Sequence, residues 1–220
     1  MLVNKKFNHV ESPIWAELES ETNPDCTRYY QTPDGKSYPS VTTVTGWEKR
    51  KFFAQWRKNN PEESKRVLAR GNRLHKIIED YLNNEEGYLA EAESTDSQLF
   101  YQLSEELHRI DNIVGLERPL WSHTLKLAGR VDCIGEFDGE LSIIDFKGST
   151  KPKRKSDIEN YFLQATAYAI MFQERTKTPI KNIVILISCD TGDSQVFVGN
   201  PMDYVNKLHK TIRQYMDENQ

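Results

Sequence analysis

Cysteine is scarce in this sequence. Cys26, Cys133 and Cys189 stand far apart among 220 residues, which excludes a disulfide framework and any CxxC metal knuckle. Three thiols also disfavour a four-cysteine iron–sulfur site built from this chain alone. Long apolar runs are missing: none approaches the ~18 residues of a membrane-spanning helix, so no membrane span is expected. The opening MLVNKKFNHVESP has neither the apolar stretch of a signal peptide nor the Arg and Ser richness of a transit peptide, and a cytoplasmic location is the default expectation. No internal repeat or low-complexity tract is visible. Gly35-Lys36-Ser37 looks like the tail of a phosphate-binding loop, but the position that needs the earlier glycine is Tyr30, which excludes nucleotide hydrolysis through such a loop. A surplus of positive charge is absent as well. Lys and Arg total 29 against 33 Asp and Glu, a net charge of −4, and taken alone this argues against a nucleic-acid partner.

The apolar fraction of 37% and charged fraction of 28% fit one soluble domain, long enough to bury a core and unlike a disordered chain. The net charge hides a segregation. Residues 49–76 hold ten basic side chains against Glu62 and Glu63, whereas residues 77–117 hold eleven acids against Arg109. A second basic cluster, KGSTKPKRK, spans Lys147 to Lys155. Affinity for nucleic acid follows local basic surface and not the total. A solvated helix laced with salt links is the bland alternative.

Residues 1–45 are rich in Pro, Ser, Thr, Asn and Asp and read as loops with short strands; Asp34-Gly35 is a turn signal. A helix is expected over 47–58 with Phe52, Phe53 and Trp56 on its apolar side. Asn60-Pro61-Glu62-Glu63 then reads as a helix start, with Asn as N-cap and Pro at the first position. That helix runs to about Leu82, with Val67, Leu74, Ile78 and Tyr81 along one side. A third is expected over 96–113 on Leu99, Phe100, Leu103, Leu107 and Ile110. The period then switches to two: strands are expected at 119–126, 128–137 and 140–147, a helix at 157–175, strands at 182–189 and 195–198, and a closing helix at 202–216. The sum is an α/β or α+β domain with a mixed central sheet flanked by helices. Trp47, Trp56 and Trp121 are expected in the core, with at most one stacking on a base.

Asp138-Gly139 is a strong signal for a two-residue hairpin. With Phe137 opposite Glu140, Asp132 falls opposite Asp145, and Lys147 lies on the same face with Arg130 as its cross-strand neighbour. A bulge at Gly135 would shift this register by one. Like charges directly opposite destabilise a sheet, and a hard divalent cation is one reason to place them there. A salt-bridged Asp–Lys–Asp surface hairpin is the other.

The ordered set Gly71-x-x-x-His75, Glu117-x-Pro119, Gly129-Arg130-Val131-Asp132, Asp145-Phe146-Lys147 and Gln164-x-x-x-Tyr168 resembles the PD-(D/E)XK nuclease superfamily in its RecB-like branch. Tyr38-Pro39-Ser40-Val41-Thr42-Thr43-Val44 is similar to the opening of phage exonucleases and of the mitochondrial genome maintenance exonuclease. The resemblance implies a restriction-endonuclease-like core with an N-terminal helical DNA-gripping region. It implies that Asp132, Asp145 and the Phe146 carbonyl bind Mg²⁺ or Mn²⁺, that His75 and Glu117 complete the metal shell, and that Lys147 is catalytic. Gln164 and Tyr168, one helical turn apart, would orient the active site and the DNA backbone. On the residues alone, His75 could equally be a core-edge side chain, Glu117 a surface acid, and Gln164 and Tyr168 plain packing. The family's iron–sulfur cysteines and helicase motor are missing, and Gly148 stands where relatives often have Thr.

The expected protein is a single nuclease domain over 1–220, with a loop and helical part at 1–115 and a catalytic sheet at 116–220. It would be a divalent-metal-dependent DNA exonuclease working from single-stranded ends, in replication, recombination or repair, in a bacterium or a phage-infected cell. Arg57, Lys58, Arg66, Arg70, Arg73, Arg130, Lys151 and Lys153 would grip DNA, with a replication or recombination protein as a further partner. A structure-specific endonuclease and a non-catalytic DNA-binding subunit are the rival readings.

Overall fold

Val, Ile and Leu dominate the stretch Asn182–Cys189, and it forms the spine of the molecule. In the computed structural model, which describes residues 5–11 and 15–219, this strand is buried on both faces. Ile183, Ile185, Ile187 and Cys189 enter one core, and Val184 and Leu186 enter another, the period-two alternation of a central strand. Among the described residues it is the seventh of eight strands. Three short ones, β1 (Glu19–Thr22), β2 (Arg28–Gln31) and β3 (Ser37–Pro39), make a small antiparallel sheet. The other five, β4 (Ile110–Ser122), β5 (Leu127–Phe137), β6 (Glu140–Ser149), β7 (Asn182–Cys189) and β8 (Gln195–Gly199), form a sheet in chain order. β4, β5 and β6 are antiparallel neighbours, β6 and β7 are parallel, and β8 returns antiparallel.

The parallel step needs a crossover, supplied by α5 (Glu159–Thr176). That helix packs with α1 (Val41–Thr45) and α6 (Val205–Asn219) in the first core, while α3 (Pro61–Leu82) and α4 (Ser94–Leu107) build the second on the opposite face. The result is the mixed, helix-flanked sheet that the sequence implies. α1 starts where the Ser40 hydroxyl accepts from the Thr43 amide at 3.0 Å and Val41 and Val44 turn into the core. Trp47 is buried there and its indole donates to Glu218 of α6 at 2.8 Å.

Several sequence expectations need correction. The helix at 47–58 divides into a single 3-10 turn, Trp47–Lys49, and α2 (Arg50–Asn59), and no residue of α2 is buried. Its apolar side, Phe52 and Phe53, faces outward, and Trp56 is only half-buried. Asn60 makes no N-cap bond; its side chain donates back to the Trp56 carbonyl at 2.9 Å, closing α2 instead of opening α3. Val67 is exposed, and the buried side of α3 begins at Leu74. The third helix stops at Leu107, and Ile110 opens β4, well before the expected strand start; Ser122 closes it, and 123–126 turn. Trp121 is half-buried under the Arg175 guanidinium, 3.2 Å from its ring centre. The two-residue hairpin at Asp138-Gly139 is present, with Phe137 opposite Glu140. No bulge shifts β5 against β6; the irregularity lies between Asp111 and Gly115 in β4, opposite Gly135. Among the described residues, no helix is long and apolar enough to cross a membrane.

Candidate active site

The expected register holds from Phe137↔Glu140 to Cys133↔Ile144, and there the β5–β6 ladder ends. One step further, Asp132 does not pair with Asp145 through the backbone. Its Oδ2 accepts the Phe146 amide at 2.9 Å, so a carboxylate takes the place of a strand carbonyl and the two strands part. On the other side, the β4–β5 ladder skips the position between Leu116↔Cys133 and Arg118↔Val131, where Glu117 would face Asp132. Glu117 has φ of 48°, the left-handed region that costs a side-chain-bearing residue and recurs at functional sites. Two irregularities in adjacent strands thus bring two carboxylates to one point in the sheet.

α3 brings the third group. Leu74, Ile77 and Ile78 anchor its lower half in the core, which fixes the turn carrying His75. The His75 Nδ1 lies 3.6 Å from Asp132 and 3.8 Å from Glu117. Ligand atoms of His75, Glu117 and Asp132 all fall within 4.8 Å of one another. Burial opposes protonation of His75, but Asp132 and Glu117 outweigh it and hold its pKa above the ordinary value.

Lys147 reaches Asp145 at 2.6 Å and Asp132 at 3.9 Å. Asp145 is buried; its Oδ1 accepts from the Gln164 amide at 2.9 Å, while its Oδ2 has the Lys147 ion pair but no well-aligned hydrogen bond. Burial, with Asp132 adding to it, raises the Asp145 carboxyl to about 6 against the pull of Lys147. Burial disfavours the Lys147 ammonium, but Asp145 and Asp132 hold its pKa above the ordinary range. The Phe146 carbonyl accepts from Lys147 at 3.3 Å. One imidazole, three carboxylates and a backbone carbonyl are the donors that suit a hard or borderline divalent cation. The under-bonded Asp145 Oδ2 fits such an ion as well.

Other expected residues sit differently. Tyr168 is buried in the core with Gln164 one turn before it, and it does not reach the surface where a phosphate would lie. Its hydroxyl abuts β5: a methyl at Gly129 would stand 2.7 Å from it, so the glycine is what allows this ring beneath the site. Arg130 is not the partner of Lys147; its guanidinium donates to the Glu117 carbonyl and to Glu17, the latter at 2.8 Å. Arg73 pairs with the wholly buried Asp96 at 2.6 Å and with Glu93 at 3.4 Å, tying α3 to α4. Arg70 grips Asp190 with two contacts of 2.6 and 2.7 Å. Arg66 pairs along its own helix with Glu63 at 2.8 Å. Lys58 and Lys151 are exposed, and Arg57 and Lys153 are half-buried.

An open groove of about 720 Å³ runs over this centre between α3 and the sheet, lined by Leu68, His75, Glu79, Glu117, Arg130 and Lys147. Glu79 was not among the expected site residues. Burial, with Glu117 adding to it, raises its carboxyl, and its spacing of four from His75 is the signal that could have found it.

A sequence profile of the PD-(D/E)XK nuclease superfamily matches residues 49–219. The chain is similar to mitochondrial genome maintenance exonuclease 1 of mouse, 27% identical over 64% of this chain and 41% of that protein. It is similar to the human protein of the same name, 28% identical over 71% of this chain and 45% of that protein. It therefore spans less than half the length of these relatives. A solved structure of a candidate exonuclease from Eubacterium rectale superposes with a TM-score of 0.50 at 10% identity, over 69% of this chain and 65% of that one, a likeness of fold.

Proposed function

The chain belongs to the PD-(D/E)XK nuclease superfamily, and from that premise we propose that it is a divalent-metal-dependent exonuclease that hydrolyses DNA from single-stranded ends. The observation that carries this reading is the contact of Lys147 with Asp145 at 2.6 Å beside the His75–Glu117–Asp132 cluster. Asp132, His75, Glu117, Asp145 and the Phe146 carbonyl are the groups that would hold Mg²⁺ or Mn²⁺. Such an ion, when bound, lowers the pKa of a coordinated water and offsets charge on a phosphate.

The remaining chemistry belongs to the chain. Lys147 offers an ammonium to the phosphoryl oxygens, where negative charge grows as the diester is attacked. Gln164 fixes Asp145 by donating to its Oδ1, and Tyr168 supports β5 from below. Lys58, Lys151, Arg57 and Lys153 lack a neutralising carboxylate on their side chains among the described residues, and they would take phosphates along the strand. The exonuclease names of the relatives support action from an end, and the basic helices α2 and α3 support a strand passing beneath them. A role in DNA replication, recombination or repair extends the same reading.

The test is digestion of a 5′-labelled linear single strand and of its covalently closed circle, with Mg²⁺, with Mn²⁺ and with EDTA. The expected result is cleavage of the linear strand only, abolished by EDTA and by Asp145→Asn. Cutting of the circle would make the protein an endonuclease. Equal cleavage in EDTA, or by the variant, would remove the reading.

A further inference from the structure

Helix α2 carries no buried residue, yet three of its ten residues are aromatic. Phe52 is 67% exposed and Phe53 45%, their ring centres 5.4 Å apart at 74°. An amphipathic helix normally spends such rings on a core. These serve none, and exposed apolar clusters mark places of contact. The composition around them names the partner. Lys49, Arg50 and Lys51 precede the rings and Arg57 and Lys58 follow them. Arg57 is one turn beyond Phe53 on the same side, and both line a hollow of about 350 Å³ together with Arg50, Lys51, Thr42 and Thr43. Rings between cations match a polymer that alternates a flat apolar base with an anionic phosphate.

Resting on the nuclease reading above, we infer that α2 is a base-stacking platform: Phe52 and Phe53 hold unpaired bases of the strand whose backbone lies in the catalytic groove. Charge complementarity selects this occupant. A second copy of the chain would bring the same basic residues against each other, and an acidic peptide would leave the rings without flat partners. Duplex bases are stacked and paired, so the platform favours single-stranded nucleic acid and reads no sequence, because every base offers a π-face. The exposed Val67 and Leu68 of α3 add an apolar stretch to the groove wall.

The test uses the full chain in EDTA, so that no strand is cut. Binding of labelled oligothymidylate is compared with binding of an abasic strand of equal length, which keeps the phosphates and lacks the bases. The wild type is expected to prefer oligothymidylate by about tenfold or more. Phe52→Ala and Phe53→Ala are expected to lose about 5- to 100-fold on oligothymidylate and to leave the abasic affinity unchanged, while Phe52→Trp retains the preference. Both rings are solvent-facing, so unchanged circular dichroism and melting confirm folded variants. An intact preference in the alanine variants overturns the platform, as does an equal loss on both strands. A change from dimer to monomer in sedimentation with the preference unaltered also overturns it and makes the face a self-association surface. Cleavage measured separately decides the nuclease reading: a chain that cuts nothing yet discriminates bases fails that reading and keeps the platform.

Discussion

Helix α2 and strand β6 are each ten residues long, and they place charge in opposite ways. On α2 no residue is buried: Lys51 and Lys58 are exposed, Arg57 is half-buried, and Arg50 pairs with Glu218 at 3.5 Å. In β6 the charges of Asp145 and Lys147 lie in the sheet, with Asp145 3% exposed and Ile143, Ile144 and Phe146 buried around them. An exposed cation is screened and mobile, and it grips a polyanion without holding one geometry. A buried pair is costly to desolvate and is retained when its position matters. On the reading proposed above, the difference separates grip from chemistry, and each region can be broken without the other.

The largest effect is expected at β6. Lys147→Ala should lower cleavage by about 10²–10³-fold, measured on a labelled single strand, with DNA affinity little changed. It should also expose the cost of Asp145. The folded pKa of that carboxyl, about 6, lies above the ~3.9 of an unfolded chain, so the stability linked to its proton is present at low pH and lost as pH rises through the folded value. Without Lys147 the carboxyl keeps its proton to still higher pH. Thermal melts in EDTA should therefore show a deficit against the wild type that is small near pH 5 and wider near pH 8.

Gln164→Leu comes next. It removes the donor to a buried carboxylate at nearly constant volume, which should cost about 1.5–3 kcal/mol of stability and roughly tenfold or more in rate through loss of orientation. Denaturant melts and steady-state cleavage check the two parts. Gly129→Ala drives a methyl to 2.7 Å from the Tyr168 hydroxyl; about 1–3 kcal/mol of overpacking is expected. Adding Tyr168→Phe should recover part of it, and no recovery would mean that the ring edge, not the hydroxyl, takes the clash. The smallest effect on the fold belongs to α2. Arg57→Gln and Lys58→Gln should each flatten the salt dependence of DNA binding by about one unit of slope and leave melting within about 0.5 kcal/mol of the wild type.

Much of this was legible in the sequence because it is local. The Asp138-Gly139 turn set a register that carries down to Cys133, and β7 announced itself as a run of Val, Ile and Leu. What was missed depends on distant partners. The apolar spacing of α4 continues into Ile110, and only pairing with Phe137 on β5 makes that residue the start of a strand. The apolar side of α2 is there in Phe52 and Phe53, but a helix does not encode whether anything will cover it. In the site, Asp145 and Lys147 followed from hairpin geometry. Asp132 followed only in part, since its carboxylate leaves the face-to-face position to accept from the Phe146 amide. His75 and Glu117 came from resemblance alone, because a helix and a strand far apart in sequence meet only once both cores have formed.

The most direct measurement of this separation is the single-turnover cleavage rate at saturating enzyme, set beside the half-saturating concentration, for the wild type, Lys147→Ala and Phe52→Ala with Arg57→Gln. The expected result is a rate lost in Lys147→Ala at unchanged half-saturation, and an unchanged maximal rate in the α2 variant with half-saturation raised. A wild-type maximal rate in Lys147→Ala, or a maximal rate lost through α2 alone, would contradict the division of the molecule into an exposed grip and a buried catalytic centre.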